Sequence, residues 1–335
     1  MPTPMPSDPQ IDPYRVTQIS LEELTDYFHE QPSSLPWECP FVQPFWLRSW
    51  ATAFGKGQTA LFLCVLHNDQ PVGLLPLKTD GSAATFFGSP DVCDYQDLVA
   101  APGQTSAVVA ALIKVLRARG IQMLDLNTIR RPSALWDGLQ ACTSQGLQIA
   151  WEAVEAGYAM DLPASWEEYL QRLKAKQRHE IRRKLRRLHE YGTIEFDTIA
   201  PTHLNERDMQ QFFSLFTASR ADKADFMNPA MRVFFNNLLQ GAAAAGVLRL
   251  SFLRINGRPA ASTLCFAIND CLYLYNNGYD RTYAPVSVGL LSKVYTIRQG
   301  IEEGFRRYDF LKGSEPYKHR LGGRPVAMFR CRIYL

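Results

Sequence analysis

Residues 247–280 read VLRLSFLRINGRPAASTLCFAINDCLYLYNNGYD. Three apolar runs are joined by Asn256-Gly257 and Asn269-Asp270, dipeptides suited to tight hairpin turns, so the stretch predicts three consecutive antiparallel strands. Working outward, a helix is expected from about Ser287 to Glu303, then a strand at RRYDFL (306–311), a short helical turn at EPYKHRL (315–321) and a last strand FRCRIYL (329–335). In that strand Phe329, Cys331 and Ile333 alternate with Arg330 and Arg332, which buries one face. Before the meander come a strand GYAMDL (157–162), one long basic helix from Trp166 to about Tyr191 with Gly192 as its stop, a strand TIEFDTI (193–199), and two helices, 204–219 and 229–245.

The first half has a similar plan. Helices are expected at 21–30 and 44–54, the second with an aromatic stripe that packs into a core. The runs LFLCVL and PVGLLPL flank the turn HNDQ (67–70) as a hairpin, and strands follow near 84–88 and 95–99. A helix 105–120 ended by Gly120, a strand 121–126, a helix 133–145 ended by Gly146 and a strand 147–154 complete it.

Composition narrows the function classes. At 335 residues the chain fits two cores of ordinary size, and 46% hydrophobic with 21% charged residues describes a globular protein. The longest apolar run, 107–116, contains Lys114 and is too short to span a bilayer. The start MPTPMPSDPQIDP has neither a basic nor an apolar stretch, so residues 1–20 are expected to be a disordered proline-rich tail and not a signal peptide. Seven cysteines without a CxxC pair suit buried thiols in a reducing compartment, and six scattered histidines lack ligand spacing; neither zinc nor disulfides are expected, and the location is expected to be cytoplasmic.

The basic segment stands apart. Between Arg172 and Arg187 there are nine lysines and arginines and one carboxylate, Glu180, in a chain of net charge +3. Leu170, Leu173, Ile181, Leu185 and Leu188 give a narrow packing stripe, leaving the other side basic. That side is either a solvated face or a seat for tRNA, an acyl carrier protein or the phosphates of a nucleotide-bearing ligand. No helix-turn-helix or zinc pattern accompanies it, which disfavours DNA, and the thin aliphatic stripe without aromatic anchors gives little support to a membrane, with at most a peripheral association.

On KQRHEIRRKLRRLHEYG (176–192), RINGRPAAS (254–262), LYLYNNGYDRTYAPVSVGLL (272–291) and above all RRYDFLKGSEPYKHRLGG (306–323), the second half resembles the GNAT acyltransferase fold. Within it the chain is similar to the acetyltransferase-like domain associated with bacterial cellulose biosynthesis and to the related Fem-type aminoacyltransferases. The resemblance implies an α/β (α+β) chain of two tandem GNAT-like domains, each a mixed, mostly antiparallel sheet flanked by helices. These are a degenerate domain at 21–155, inferred from its layout, and an acyltransferase domain at 156–335 whose last strand is open to pairing with the first domain.

It also implies an N-acyltransferase that moves an acyl group directly to an amine acceptor, since no nucleophile motif is present. Tyr317 stands where the superfamily protonates a leaving thiolate, and Asn276 and Asn277 lie in the strand where related folds polarise the carbonyl. Glu315 and Asp309 are candidates to orient or deprotonate the amine. Lys318, Arg320, Tyr279 and Arg220 are candidates for substrate binding. Free amides at a helix start over Ser287, Val288, Gly289 and Leu290 suit a phosphate or a thioester oxygen, with Ser287 as cap and Gly289 allowing close approach. The turn APVSVG (284–289) lacks the glycine-dense loop of acetyl-CoA-using members. The donor therefore stays open among acyl-CoA as a co-substrate, an acyl carrier protein and an aminoacyl-tRNA, with no tightly bound cofactor. A Fem-type transferase acting on a cell-envelope precursor or small amine, and a non-catalytic binding scaffold, are the alternatives.

Overall fold

A computed structural model describes residues 13–30, 35–143 and 146–335. Its strands are β1 (Tyr14–Ile19), β2 (Thr59–His67), β3 (Gln70–Thr79), β4 (Ala83–Phe86), β5 (Val99–Ala100), β6 (Met123–Arg130), β7 (Gln148–Ala153), β8 (Gly157–Asp161), β9 (Ile194–Ile199), β10 (Leu248–Ile255), β11 (Arg258–Ile268), β12 (Cys271–Tyr279), β13 (Arg307–Lys312), β14 (Arg324–Val326) and β15 (Met328–Tyr334). The α-helices are α1 (Leu21–Glu30), α2 (Pro44–Phe54), α3 (Thr105–Ala118), α4 (Ala134–Thr143), α5 (Trp166–Arg172), α6 (Ala175–Tyr191), α7 (Glu206–Ser219), α8 (Ala221–Phe226), α9 (Pro229–Ala244), α10 (Val288–Glu302) and α11 (Pro316–Arg320).

The predicted meander is β10–β11–β12, turned at Asn256 (φ 51°) with Gly257 (φ 74°) and at Asn269 (φ 51°), the left-handed conformation that two-residue hairpins require. Asn68 and Asp69 turn β2 into β3 in the same way. One sheet runs β1-β2-β3-β4-β6-β15-β7, with β5 alongside β3; the other, read from its far edge, runs β9-β10-β11-β12-β13-β8-β14. The fourth and fifth strands are parallel in both sheets, β4 with β6 and β12 with β13, and every other pairing is antiparallel. The two halves therefore share one plan, and the sixth place in each sheet goes to a strand that follows the other half along the chain. β8 follows β7 but lies in the second sheet, and β15 follows β14 but lies between β6 and β7 in the first.

Each sheet has its own outer core, and a third aromatic core lies between the halves. There α2 packs on α9, with Trp46 6.0 Å from Phe234 and Phe45 5.1 Å from Phe266 between ring centroids. The aromatic stripe expected in 44–54 is thus the joint between halves. A buried ion pair spans the same joint: Arg130 of β6 donates to Asp309 of β13 at 2.7 Å and to the Tyr95 hydroxyl at 2.9 Å.

Three expectations are corrected. Tyr14–Ile19, within the expected tail, is an edge strand paired with β2; residues 1–12 of that tail and the last two residues of the helix expected at 133–145 lie outside the described residues. The single basic helix is two, because Leu173 (φ −75°, ψ 147°) and Lys174 (ψ 143°) are extended, turning the Leu173 side chain into the core. No glycine or proline marks that break. Gly192 follows α6 in extended backbone (φ 169°) and not in a left-handed turn, and a side chain there would collide with Asn256. Asp309→Asn should leave the Arg130 guanidinium buried without its counter-charge and cost roughly 3 kcal/mol, read as a lower urea midpoint at unchanged m-value; an unchanged midpoint would show that the pair does not hold the halves together.

Candidate active site

β12 and β13 pair over three residues only, Cys271–Tyr273 against Arg307–Asp309, and then part. Each strand carries an irregularity where they separate. In β12 the register with β11 slips between Leu264 and Cys265, so Tyr275 is an extra residue whose peptide lies outside the ladder. In β13 the register with β8 slips past Phe310, and Leu311 is left-handed (φ 60°), held there by the Asp309 carboxylate accepting its amide at 2.8 Å. The result is a wedge floored by the Arg130–Asp309 pair, with an off-ladder peptide on one wall.

Three lysines surround the wedge. Lys223 of α8 donates to the Asn277 carbonyl at 2.5 Å and stands 4.4 Å from the Phe216 ring. Lys293 of α10, 4% exposed, donates to the Gly289 carbonyl at 2.6 Å and lies 4.7 Å from the centre of the Tyr317 ring. Lys318 of α11, 2% exposed, donates to the carbonyls of Leu311 (3.2 Å) and Lys312 (2.5 Å) and pairs with Glu315 (3.0 Å). Asp94, from the first half, accepts the Lys312 amide at 3.3 Å, so both halves contribute.

Burial decides the protonation of these groups. It brings Lys293 down to about 7, helped by the positive charge of Lys223, and Lys223 down to about 8, helped by Arg220. It raises Asp94 to about 6, against the pull of Lys318, and holds Tyr317 well above the ordinary phenol value, reinforced by Glu315. Near neutral pH the wedge therefore holds a tyrosine that keeps its proton and a lysine able to take one.

The structure regroups the residues picked from sequence. Tyr317 meets Lys293, Asn276 follows the irregularity of β12, and Glu315 pairs with Lys318. Asp309 does not act there as a free base, because Arg130 and the Leu311 amide occupy its carboxylate. Lys318 has three partners for its three protons and none left for a substrate, so it is a strut between β13 and α11. Arg220 forms a two-pronged pair with Asp222 on the surface, and Arg320 lines a separate cavity beside α11.

The helix start at 287–290 differs from the expected cradle. Ser287 is left-handed (φ 61°) and makes no side-chain cap; its hydroxyl instead accepts the Lys184 ammonium at 2.6 Å. A Cβ on Gly289 would lie 2.7 Å from the Tyr279 ring, so Tyr279 already fills the space that was to admit a ligand. Val288 is fully buried and Leu290 packs on the same core.

Sequence reasoning missed Lys223, Lys293, Lys184 and Asp94. Lys293 carried a signal, a lysine on the helix side that also holds Leu290, Val294, Ile297 and Ile301, since a cation at a core position needs a reason. Asp94 carried none, because its role depends on how the halves meet.

Residues 175–319 match the acetyltransferase (GNAT) domain family, which supports acyl transfer in general. Comparison with curated proteins found no match. Among solved structures, the chain resembles a conserved protein of unknown function from Bacteroides thetaiotaomicron (15% identity, 96% of this chain and 99% of that one, TM-score 0.62). It also resembles FemX (10% identity, 94% and 96%, TM-score 0.62) and a C-terminal domain assigned to a lysylphosphatidylglycerol synthetase from Agrobacterium fabrum (11% identity, 93% and 92%, TM-score 0.60). At such identities the likeness is one of fold, and it extends over both halves.

Lys293 gives the site a pH signature. Its folded pKa lies below the 10.5 of an ordinary lysine, so between about 7 and 10.5 the unfolded chain binds more protons and stability rises with pH; below about 7 the burial cost is felt in full. Lys293→Met should melt several degrees above the parent at pH 6.5, and that gap should close as pH rises to 10. A gap that stays constant over this range would mean that Lys293 is not the titrating group.

Proposed function

We propose that the chain transfers an acyl group directly to an amine in the wedge between β12 and β13, taking it from a polyanionic carrier that docks on α6. The observation that carries the chemistry is the contact between Lys293 and the Tyr317 ring, taken with the peptide of Tyr275 that the bulge in β12 leaves off the ladder. The amine nitrogen attacks the acyl carbon, and the carbonyl oxygen takes the negative charge next to that peptide. The proton lost by the amine passes to neutral Lys293. As the bond to the carrier breaks, the Tyr317 hydroxyl protonates the departing atom. Lys293 then returns its proton to Tyr317 and the site is restored.

Two observations favour a large carrier over a free nucleotide. Tyr279 closes the start of α10 over Gly289, and Arg182 and Arg187 on α6 have no ion-pair partner among the described residues. An aminoacyl-tRNA suits that face best, because a row of cations along a helix matches a phosphate backbone. A second reading, a free acyl-CoA, draws on Lys184, which lies at the start of α10 where a pyrophosphate would otherwise face only backbone amides.

Binding measurements separate the two. For a tRNA carrier, replacing Arg182, Arg183, Arg186 and Arg187 with glutamine should lower the slope of log affinity against log salt by about 3 without changing Tm, since these side chains are exposed. Equal slopes, together with a saturable rise in Tm caused by acyl-CoA, would replace the first reading with the second. Once a substrate pair is known, Tyr317→Phe should reduce kcat about a hundredfold with unchanged Tm; an unchanged kcat would remove the tyrosine from the mechanism.

A further inference from the structure

Beside α11, with a lining that includes none of the wedge's lysines or Tyr317, a cavity of about 300 Å³ lies between the break separating α5 from α6 and the turn leading into β14. Arg172, Lys174, Arg320 and Arg324 line it, against one carboxylate, Asp161. Arg172 is engaged by Glu168 and the Asp161 carbonyl, whereas Lys174, Arg320 and Arg324 have no hydrogen-bond or ion-pair partner among the described side chains. Three unspent cations converging on one concavity repel one another, an arrangement that favours an anion between them.

The walls are built and not incidental. The Tyr169 hydroxyl donates to the Leu321 carbonyl at 3.0 Å, tying α5 to the turn after α11. Gly322 (φ 96°) lets that turn close against Leu173, the residue that breaks the helix. The break points the first turn of the 17-residue α6 at the cavity, and no side chain caps it. Gln177, in that first turn, also lines the cavity, and its side-chain carbonyl oxygen is buried without a donor. An unmet acceptor beside a cluster of cations calls for a ligand that carries a hydroxyl next to its anionic group.

We propose that this cavity is a phosphoryl-binding site that takes a sugar phosphate unit, with Arg320, Arg324 and Lys174 on the phosphate and the Gln177 carbonyl accepting from a neighbouring hydroxyl. The proposal does not depend on the acyl-transfer chemistry, because the cavity's lining includes none of the wedge's lysines or Tyr317. A ribose phosphate of an RNA backbone and a small phosphorylated acceptor present the same chemistry.

Calorimetric titration of the full chain at fixed ionic strength tests it, with inorganic phosphate, ribose 5-phosphate and ribose as probes. Phosphate should bind saturably, ribose 5-phosphate about tenfold more tightly and ribose not at all. Arg320→Gln with Arg324→Gln should weaken both phosphates at least tenfold while Tm stays within about 2 °C, both side chains being exposed. Gln177→Leu should bring ribose 5-phosphate down to the affinity of phosphate. The absence of saturable phosphate binding, or equal binding by parent and double variant, overturns the site; an unchanged ribose 5-phosphate preference in Gln177→Leu overturns the role of the hydroxyl. Displacement of bound ribose 5-phosphate by a short single-stranded RNA assigns the site to an RNA carrier, and failure to displace it assigns it to a small phosphorylated molecule.

Discussion

The parallel contact between β12 and β13 covers three residue pairs and no more. Parallel strands with a full ladder would leave no room between them and would keep every peptide engaged. Here the ladder stops at Tyr273 and Asp309. The slip at Tyr275, the left-handed Leu311 and the clasp of Lys318 on two β13 carbonyls all follow from the need to end it cleanly. The Arg130–Asp309 pair, reaching in from the first sheet, fixes where the separation starts. The wedge is thus set by both halves, although the side chains around it come mainly from the second.

Around it, burial and charge act together. Lys293 is enclosed by the aromatic ring of Tyr317 and by its own helix, with Lys223 and Lys318 close enough to add their repulsion. A lone buried lysine would be a liability to folding; here the same desolvation yields a proton acceptor at neutral pH. Tyr317 is shifted the other way by the same cause, so at neutral pH the tyrosine keeps its proton while the lysine beside it is able to take one.

Much of this was legible in the residues. The Asn-Gly and Asn-Asp turns, the alternation in 329–333 and the periodicity of the helices fixed most of the elements, because each is a local property. The return of β15 to the first sheet was open only through the family resemblance and was not legible in that local way, since strands that lie side by side are distant in sequence. The break at Leu173 shows the same limit: helix propensity across 166–191 is unbroken, and only the pull of the Leu173 side chain into the core interrupts it. At the site, Tyr317 stood out through its surrounding motif. Lys318 and Asp309 stood out as charged residues in the same motif, yet their charges are consumed internally, which sequence cannot distinguish from charges left free for a ligand.

The exchanged strands also bear on how the protein comes into being on the ribosome. Synthesis follows chain order, so β6 and β7 emerge long before β15, which is to lie between them. Until residues 328–334 appear, the first sheet has an open slot whose two edges, one on each side, face the nascent second half. The first half therefore cannot close as an independent unit during translation, and its completion is tied to the last of the described strands. The strand β15 acts as the latch for a sheet whose other strands all precede the second half.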